Sequence, residues 1–207
     1  MLLTERLVTD VLLAALSTGG DFAEIFMEDT YNTMIRMING TVEEGVTGRD
    51  YGVGIRIFQG MRSVYAYTND TARENLMKVA LEAAAALADT PKVKSIVLAR
   101  MAVEKFNPIV LEPRQVASGD KVGVMKRAHA AAFDHHEQIS QVAINYLDTD
   151  QSVFIANSEG LMADDRRVRT RLAINAVATK GNEKQSGFYG PGRHMGFELF
   201  EHLDVEE

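Results

Sequence analysis

The sequence predicts an α+β fold of largely antiparallel sheet meanders with helices on one side, in which a helix–meander unit occurs twice. Three observations favour this class. Helical periodicity is confined to a few segments, alternating apolar and polar residues fill the stretches between them, and tight-turn signals join neighbouring strands. Of the 207 residues, 46% are hydrophobic and 25% are charged. This balance is typical of a globular protein with a real core.

The first predicted unit opens with an amphipathic helix over residues 4–18, because apolar residues recur there at helical spacing. Asn39-Gly40 is the strongest short hairpin signal, and it joins two strands rich in β-branched and aromatic residues. A second helix closes the unit, with Thr71 and Glu74 at capping-box spacing and Pro91 just beyond its end. The strands of this unit are predicted at 22–38, 41–47, 51–58 and 63–67.

The second predicted unit repeats the order of helix and then strands. Its helix starts at Ser118 or Asp120 and runs to about Asp134. The loop 157–160 joins its last two strands, and a short strand is compatible with 92–100. The strands of this unit are predicted at 139–147, 152–156 and 166–179. Along the chain this gives a first unit at 1–90, a connection at 91–117 and a second unit at 118–190.

Composition and charge exclude several classes of function. The formal net charge is −7, whereas a nucleic-acid binder usually needs a basic face. There is no cysteine, so neither a disulfide nor a thiolate metal site can form. The N-terminus lacks the pattern of a signal peptide, and the apolar stretches are too short to span a membrane. We therefore expect a cytoplasmic protein with no membrane segment and no direct nucleic-acid partner.

Most motifs that suggest chemistry lack the context that it requires. Gly52 and Gly54 lack the spacing of a nucleotide-binding loop, so they more simply allow a bulge or the close approach of another backbone. The Asp-His-His-Glu run at 134–137 has ligand-type side chains, but adjacent residues rarely converge on one ion. His194 is part of no His-Glu-x-x-His pattern, and Ser158 has no evident base. We predict no catalytic and no metal-binding residue in this chain.

Alternation along 166–179 places Arg167, Arg169 and Arg171 on one face of a strand. One interpretation is a solvated outer face above a buried inner face. The other is a basic stripe that binds a peptide carboxylate or an acidic partner. These three arginines are the substrate-binding residues that the sequence predicts.

Several short segments are informative through their order and spacing. They are Gly-Asp-Phe-Ala-Glu-Ile-Phe at 20–26, Asn-Gly-Thr-Val-Glu-Glu at 39–44, Gly-Arg-Asp-Tyr-Gly-Val-Gly-Ile-Arg at 48–56, Ala-Tyr-Thr-Asn-Asp at 66–70, Asn-Ser-Glu-Gly at 157–160 and Asp-Asp-Arg-Arg-Val-Arg at 164–169. Together they resemble the N-terminal domain of the TldD/PmbA family of zinc metallopeptidases, whose older name is modulator of DNA gyrase. The pieces at 48–56 and 66–70 are more similar to the TldD, metal-bearing kind.

The resemblance implies a zinc site outside this sequence. The TldD kind carries a His-Glu-x-x-x-His helix and a cysteine ligand in a C-terminal peptidase domain, and neither occurs here. Residues 191–207 would then begin the linker to that domain. We expect either a piece of a longer protein or a naturally short one, with truncation favoured because the terminus resembles the first turn of an interrupted helix.

The resemblance also implies partners and a role. Two TldD/PmbA subunits, as a homodimer or a heterodimer, would enclose the active sites and admit small or unfolded peptides. This chain would be the N-terminal substrate-enclosing and assembly domain, inactive as a fragment. The alternative is a stand-alone, non-catalytic peptide- or partner-binding module.

Overall fold

The computed structural model describes residues 3–87, 95–104 and 107–206. These form α1 (Glu5–Ala15), β1 (Phe22–Ile38), β2 (Thr41–Gln59), β3 (Arg62–Thr68), α2 (Arg73–Ala85), β4 (Ala99–Met101), a 3-10 turn (Pro113–Gln115), α3 (Ser118–Asp134), β5 (Ile139–Asn157), β6 (Leu161–Lys180), β7 (Glu183–Tyr189), β8 (Gly192–Arg193) and α4 (Leu199–His202). The strand order is β3-β2-β1-β5-β6-β4, and β7 and β8 also pair with β6. Short β4 is parallel to β6, whereas β3, β7 and β8 pair antiparallel with their neighbours. The predicted α+β class with a largely antiparallel sheet is confirmed.

The protein divides into two compact units, each assembled from three separate stretches of chain. Unit 1 comprises the described residues within 1–30, 50–104 and 152–166, and unit 2 those within 31–49, 105–151 and 167–207. The boundaries fall within β1, β2, β5 and β6, so each of these strands contributes to both units. The division along the chain into 1–90, 91–117, 118–190 and 191–207 stays a prediction.

Unit 1 buries the apolar stripe of α1 against the inner face of its strands. Thr4 caps α1, because its Oγ1 accepts a hydrogen bond of 3.4 Å from the Leu7 N–H. Val8, Val11 and Leu12 are fully buried, and alternate residues of β2 join the same core. The buried strand residues are Val53, Ile55 and Ile57. These three alternate residues therefore share the buried face of the strand.

The hairpin at Asn39-Gly40 is confirmed, but its second strand is longer than predicted. Both turn residues have positive φ, 47° at Asn39 and 78° at Gly40, as a two-residue hairpin turn requires. One strand of 19 residues replaces the two predicted at 41–47 and 51–58. With 19 residues beside the 17 of β1, β2 is long enough to satisfy the backbone groups of β1 along its whole length. At the far end, the Asp21 N–H donates to the Phe58 carbonyl at 2.8 Å.

The start of α2 differs from the prediction. The capping box of Thr71 and Glu74 is wrong, since α2 begins at Arg73 with no side-chain cap. The Thr71 hydroxyl instead pairs with the Tyr51 hydroxyl at 3.1 Å. The predicted helix stop at Pro91 lies outside the described residues. Of the strand predicted within 92–100, residues 92–94 also lie outside them, and β4 begins only at Ala99.

Unit 2 packs α3 on the inner face of β5. Val124, Met125 and Ala128 of α3 share a buried cluster with Val142 and Ile144 of β5. The strands predicted at 139–147 and 152–156 are one continuous strand, β5. Strand β7 was not predicted, because every residue of it is exposed and an exposed strand has no apolar alternation to reveal it.

Candidate functional site

Unit 2 contains a cavity of about 490 Å³ whose ionisable lining residues are all basic. We call it the arginine cavity. Its lining residues are Leu147, Thr149, Arg169, Thr170, Arg171, Gly190, Gly192, Arg193 and His194. No Asp or Glu is among them, although the chain as a whole carries a net charge of −7.

Strand β6 presents two of these arginines through its alternation. Val168, Thr170 and Leu172 are no more than 2% exposed, while Arg169 and Arg171 between them are exposed. The two strand faces predicted for this segment are therefore present. Arg167 is half-buried and does not line the cavity, so the structure brings only two residues of the predicted stripe to it.

The third arginine comes from β8, which the sequence analysis missed. Gly192 lies opposite Arg171, and Arg193 lies opposite Thr170 in the antiparallel pair of β6 and β8. A two-residue strand has no periodicity to detect. His194 follows directly and also lines the cavity; the sequence alone gave it no role.

Two glycines make room for the Arg171 side chain. A Cβ atom added to Gly190 would lie 2.9 Å from Arg171 Nη2, and one added to Gly192 would lie 3.1 Å from Arg171 Cγ. The stem of Arg171 therefore lies against Gly192 and its guanidinium against Gly190. A larger residue at position 190 would crowd both that guanidinium and the Phe188 ring, whose Cζ would lie 2.8 Å from the added Cβ.

The hydroxyls of the cavity are already engaged. Thr149 Oγ1 pairs with Asn32 Oδ1 at 2.9 Å, and Thr170 Oγ1 donates to the Met195 carbonyl at 3.0 Å. Within the described part of the chain, no carboxylate forms an ion pair with Arg169 or Arg171. The guanidinium groups of Arg169 and Arg171 thus line this cavity without an ion-pair partner among the described residues.

A buried ion pair stands apart from the cavity in the core of unit 2. Lys121 Nζ donates to Asp148 Oδ2 at 2.6 Å, and the two side chains are 5% and 1% exposed. Burial, and then the nearby charge of Asp148, raises the pKa of the Tyr146 hydroxyl. No functional role for these residues is predicted from the sequence. Because Lys121 lies at helical spacing from the inward residues of α3, that spacing was the signal that could have found it.

Glu198 is another buried carboxylate of unit 2, only 2% exposed. Burial acts to raise its pKa, but hydrogen bonds from backbone N–H groups outweigh this effect and lower the pKa. Its Oε2 accepts from the Leu111 N–H at 2.8 Å and its Oε1 from the Gly196 N–H at 2.9 Å. Glu198 therefore joins two loops as an acceptor and is not open to a substrate.

The remaining motifs have structural roles. Tyr67 and Tyr65 of β3 cover Gly52 and Gly54, where an added Cβ would collide with the ring atoms. The glycines thus accommodate aromatic rings, not the backbone that was expected. Ser158 Oγ accepts from the Ala23 N–H at 3.0 Å, which ties the loop 157–160 to β1.

The histidines at 135 and 136 do not build a metal site. His135 is the C-cap of α3, and His136 Nδ1 accepts from the Gln138 N–H at 3.1 Å. Across residues 3–87, 95–104 and 107–206, no group of three or more His, Asp or Glu side chains is placed so that it could hold a metal ion. His135 and His136 therefore lack, within these ranges, the converging partners that a zinc site requires. In the same described ranges, no helix is both long and apolar enough to cross a bilayer.

Two family models match the chain in succession. Residues 23–87 match PmbA/TldA metallopeptidase domain 1, and residues 111–207 match the PmbA/TldA metallopeptidase central domain. A metalloprotease of Methanothermobacter thermautotrophicus is 27% identical over 190 residues, which cover 90% of this chain. The metalloprotease TldD homolog of Haemophilus influenzae is 22% identical over 185 residues, or 87% of this chain. The chain spans only 40% and 38% of the lengths of these relatives.

Solved structures show the same fold. A proposed modulator of DNA gyrase from Thermotoga maritima has a TM-score of 0.73 at 20% identity, with 98% of this chain and 45% of that chain covered. TldE from Thermococcus kodakarensis has a TM-score of 0.60 at 18% identity, with 84% and 40% covered. With both domain models matched in order, the chain belongs to the PmbA/TldD family of metallopeptidases.

Proposed function

We propose that this chain is the N-terminal substrate-enclosing and assembly region of a TldD-type zinc metallopeptidase that acts on small or unfolded peptides. The observation that carries the proposal is the consecutive match to family domain 1 and the family central domain. Relatives that bear the name metalloprotease are more than twice as long as the matched region. On this proposal the chain is not active by itself. We also propose that it acts in the cytoplasm, because a sequence without cysteine needs no oxidising compartment for disulfide formation.

Zinc belongs to the rest of the enzyme in this proposal. The TldD-type motif, His-Glu-x-x-x-His with a cysteine, is absent from this sequence. In such a motif the histidines can serve as zinc ligands, and the glutamate can activate the metal-bound water. The peptidase chemistry is therefore assigned to a C-terminal domain, with residues 191–207 as the beginning of the linker.

Open strand edges support a role in enclosing peptides and in assembly. All seven residues of β7 are exposed, and β7 pairs with β6. Residues 41–50 of β2 are exposed too, and β3 pairs only with Val53–Gln59 of that strand. An extended peptide, or the edge of another TldD/PmbA subunit, can pair with such an edge through main-chain hydrogen bonds. The partners that we propose are peptide substrate and a second subunit, in a homodimer or heterodimer, with no direct nucleic acid and no membrane.

The arginine stripe is the proposed contact with substrate. Arg169 and Arg171 line a cavity without acidic groups, and Arg167 lies two residues before them on the same strand. The same cavity favours a second candidate function, a stand-alone binding module for a peptide or a partner. It is formed by residues of unit 2 alone, so it needs no peptidase domain to exist.

Metal content and peptidase activity distinguish the two functions. Both are measured on this 207-residue chain and on the product of its full reading frame, with an unfolded peptide as substrate. The proposal expects zinc and cleavage in the longer product alone. Stoichiometric zinc and cleavage in the 207-residue chain would overturn it. A reading frame that stops after residue 207, with peptide binding but no cleavage, would establish the binding module.

A further inference from the structure

We infer that the arginine cavity of unit 2 binds a peptide carboxylate. The assignment to a carboxylate stands on the residues that line the cavity. That the carboxylate is carried by a peptide rests on the proposed function. The ligand is either the free C-terminus of the peptide or an Asp or Glu side chain within it.

Charge is the first argument. The sequence has 29 acidic and 22 basic residues, yet three arginines line one cavity with no acidic residue beside them. Like charges held close together repel one another, at a cost that falls when an anion joins them. Arg169 and Arg171 are also without an ion pair in the described ranges, so an incoming anion displaces no internal partner.

Preorganisation is the second argument. Gly190 and Gly192 have no side chains, and the Arg171 side chain lies in the space, here called the seat, that this leaves. Its Nη2 lies against Gly190. A guanidinium held in place loses less entropy on binding than a free one. Its planar fork of N–H donors also matches the two oxygens of a carboxylate. The seat therefore favours a planar, bidentate anion.

The shape and the remaining lining favour a peptide over a small inorganic anion. The cavity volume is about 490 Å³, which falls within the ordinary range for organic ligands and is far larger than one carboxylate. The side chain of Leu147, 39% exposed, offers an apolar wall beside the arginines. A peptide that carries the carboxylate would fill such a space with its backbone and neighbouring side chains.

The test uses the folded 207-residue chain and three synthetic hexapeptides, with binding measured by calorimetry or NMR titration at low salt. The first peptide has a free C-terminus and no acidic side chain. The second is the same peptide with an amidated C-terminus, and the third is amidated but has one internal Glu. Binding of the first alone identifies the C-terminal carboxylate, and binding of the third identifies a side-chain carboxylate. In both cases we expect the second peptide to bind at least about tenfold more weakly.

Three variants locate the site. Arg169→Gln and Arg171→Gln are each expected to weaken binding about tenfold or more, because each removes a charge-assisted hydrogen bond. Gly190→Ala keeps every charge but crowds the Arg171 guanidinium and the Phe188 ring, so binding should weaken several-fold. Arg36→Gln is the matched control, since Arg36 is an exposed strand residue of unit 2 outside the cavity. Circular dichroism and thermal unfolding establish that each variant is folded.

Three results would overturn the inference. One is equal binding of all three peptides, or no binding of any. Another is a loss of affinity in Arg36→Gln as large as in Arg171→Gln. Tighter binding of inorganic phosphate than of either carboxylate peptide would also reject a peptide carboxylate as the ligand. None of these results depends on zinc or cleavage in the longer product, so the proposed function is judged separately.

Discussion

Replacing Lys121 with Met is expected to destabilise the protein by removing one partner of a buried ion pair. The Lys121 Nζ lies 2.6 Å from Asp148 Oδ2, and the two residues are only 4% and 2% exposed. The Nζ atom also lies 5.2 Å from the centre of the Tyr146 ring. The substitution keeps a long apolar stem in α3 but leaves the Asp148 carboxylate in the core without its counter-ion.

The magnitude follows from that unpaired carboxylate. Breaking a buried pair by removing one partner costs about 3–5 kcal/mol, because the other charge remains buried. This is a large share of the 5–15 kcal/mol or so by which ordinary domains are stable. Replacing both partners, as Lys121→Met with Asp148→Leu, removes the buried charge altogether and should restore most of the loss.

The assay is equilibrium unfolding in urea at pH 7, read by circular dichroism for the two single variants, the double variant and the parent. The four free energies of unfolding form a double-mutant cycle that isolates the coupling between the two side chains. Lys126→Met is the matched control, because Lys126 is an exposed residue of the same helix. It should change stability by no more than about 0.5 kcal/mol. A loss below about 1 kcal/mol for Lys121→Met would refute the reasoning.

Three further substitutions, one of them with a matched control, are tested by urea unfolding. The lowered pKa of Glu198 means that its ionised form adds stability above the ordinary value of 4.5, stability that is lost as the pH falls through the lowered value. Glu198→Gln should therefore cost about 1–3 kcal/mol at pH 7 and flatten this acid dependence. Gly160→Ala should cost at least about 2 kcal/mol, because φ is +102° and the new Cβ meets a backbone oxygen at 2.7 Å. Gly181→Ala, with φ at +59° and open space, should cost only about 1 kcal/mol. Ser158→Ala should cost about 1–3 kcal/mol by leaving the buried Ala23 N–H without that acceptor; unchanged peptidase activity of the longer product would exclude Ser158 as a nucleophile.

Local chemistry made most of the fold predictable. Thr4 and the residues after it specify a capped helix, and Asn39-Gly40 specifies a turn whose two residues take positive φ. Lengths were harder, since nothing in 41–59 shows that pairing with β1 carries the strand through Gly45 and Gly48. The edge strand β7 escaped prediction because its pairing with β6, and not an apolar face, holds it in place.

The candidate site was predictable only in the part that lies on one strand. Alternation placed Arg169 and Arg171 on a common face. Arg193 joins them because β8 pairs antiparallel with β6. That pairing is part of the tertiary structure and leaves no pattern in the local sequence. The seat formed by Gly190 likewise depends on where the Arg171 side chain comes to lie.

The strand order has a consequence for synthesis on the ribosome. Strand β1 lies between β2 and β5, and Asn39 exchanges hydrogen bonds of 2.9 Å with Val142 near the start of β5. The hairpin of β1 and β2 emerges first, while β5 follows only after α2 and α3 have been made. At a synthesis rate of roughly 5–20 residues per second, one edge of β1 stays unpaired for several seconds until β5 has been made. An unpaired edge of 17 residues can pair with other nascent chains, so the yield of native protein should depend on translation speed and on chaperones that shield that edge.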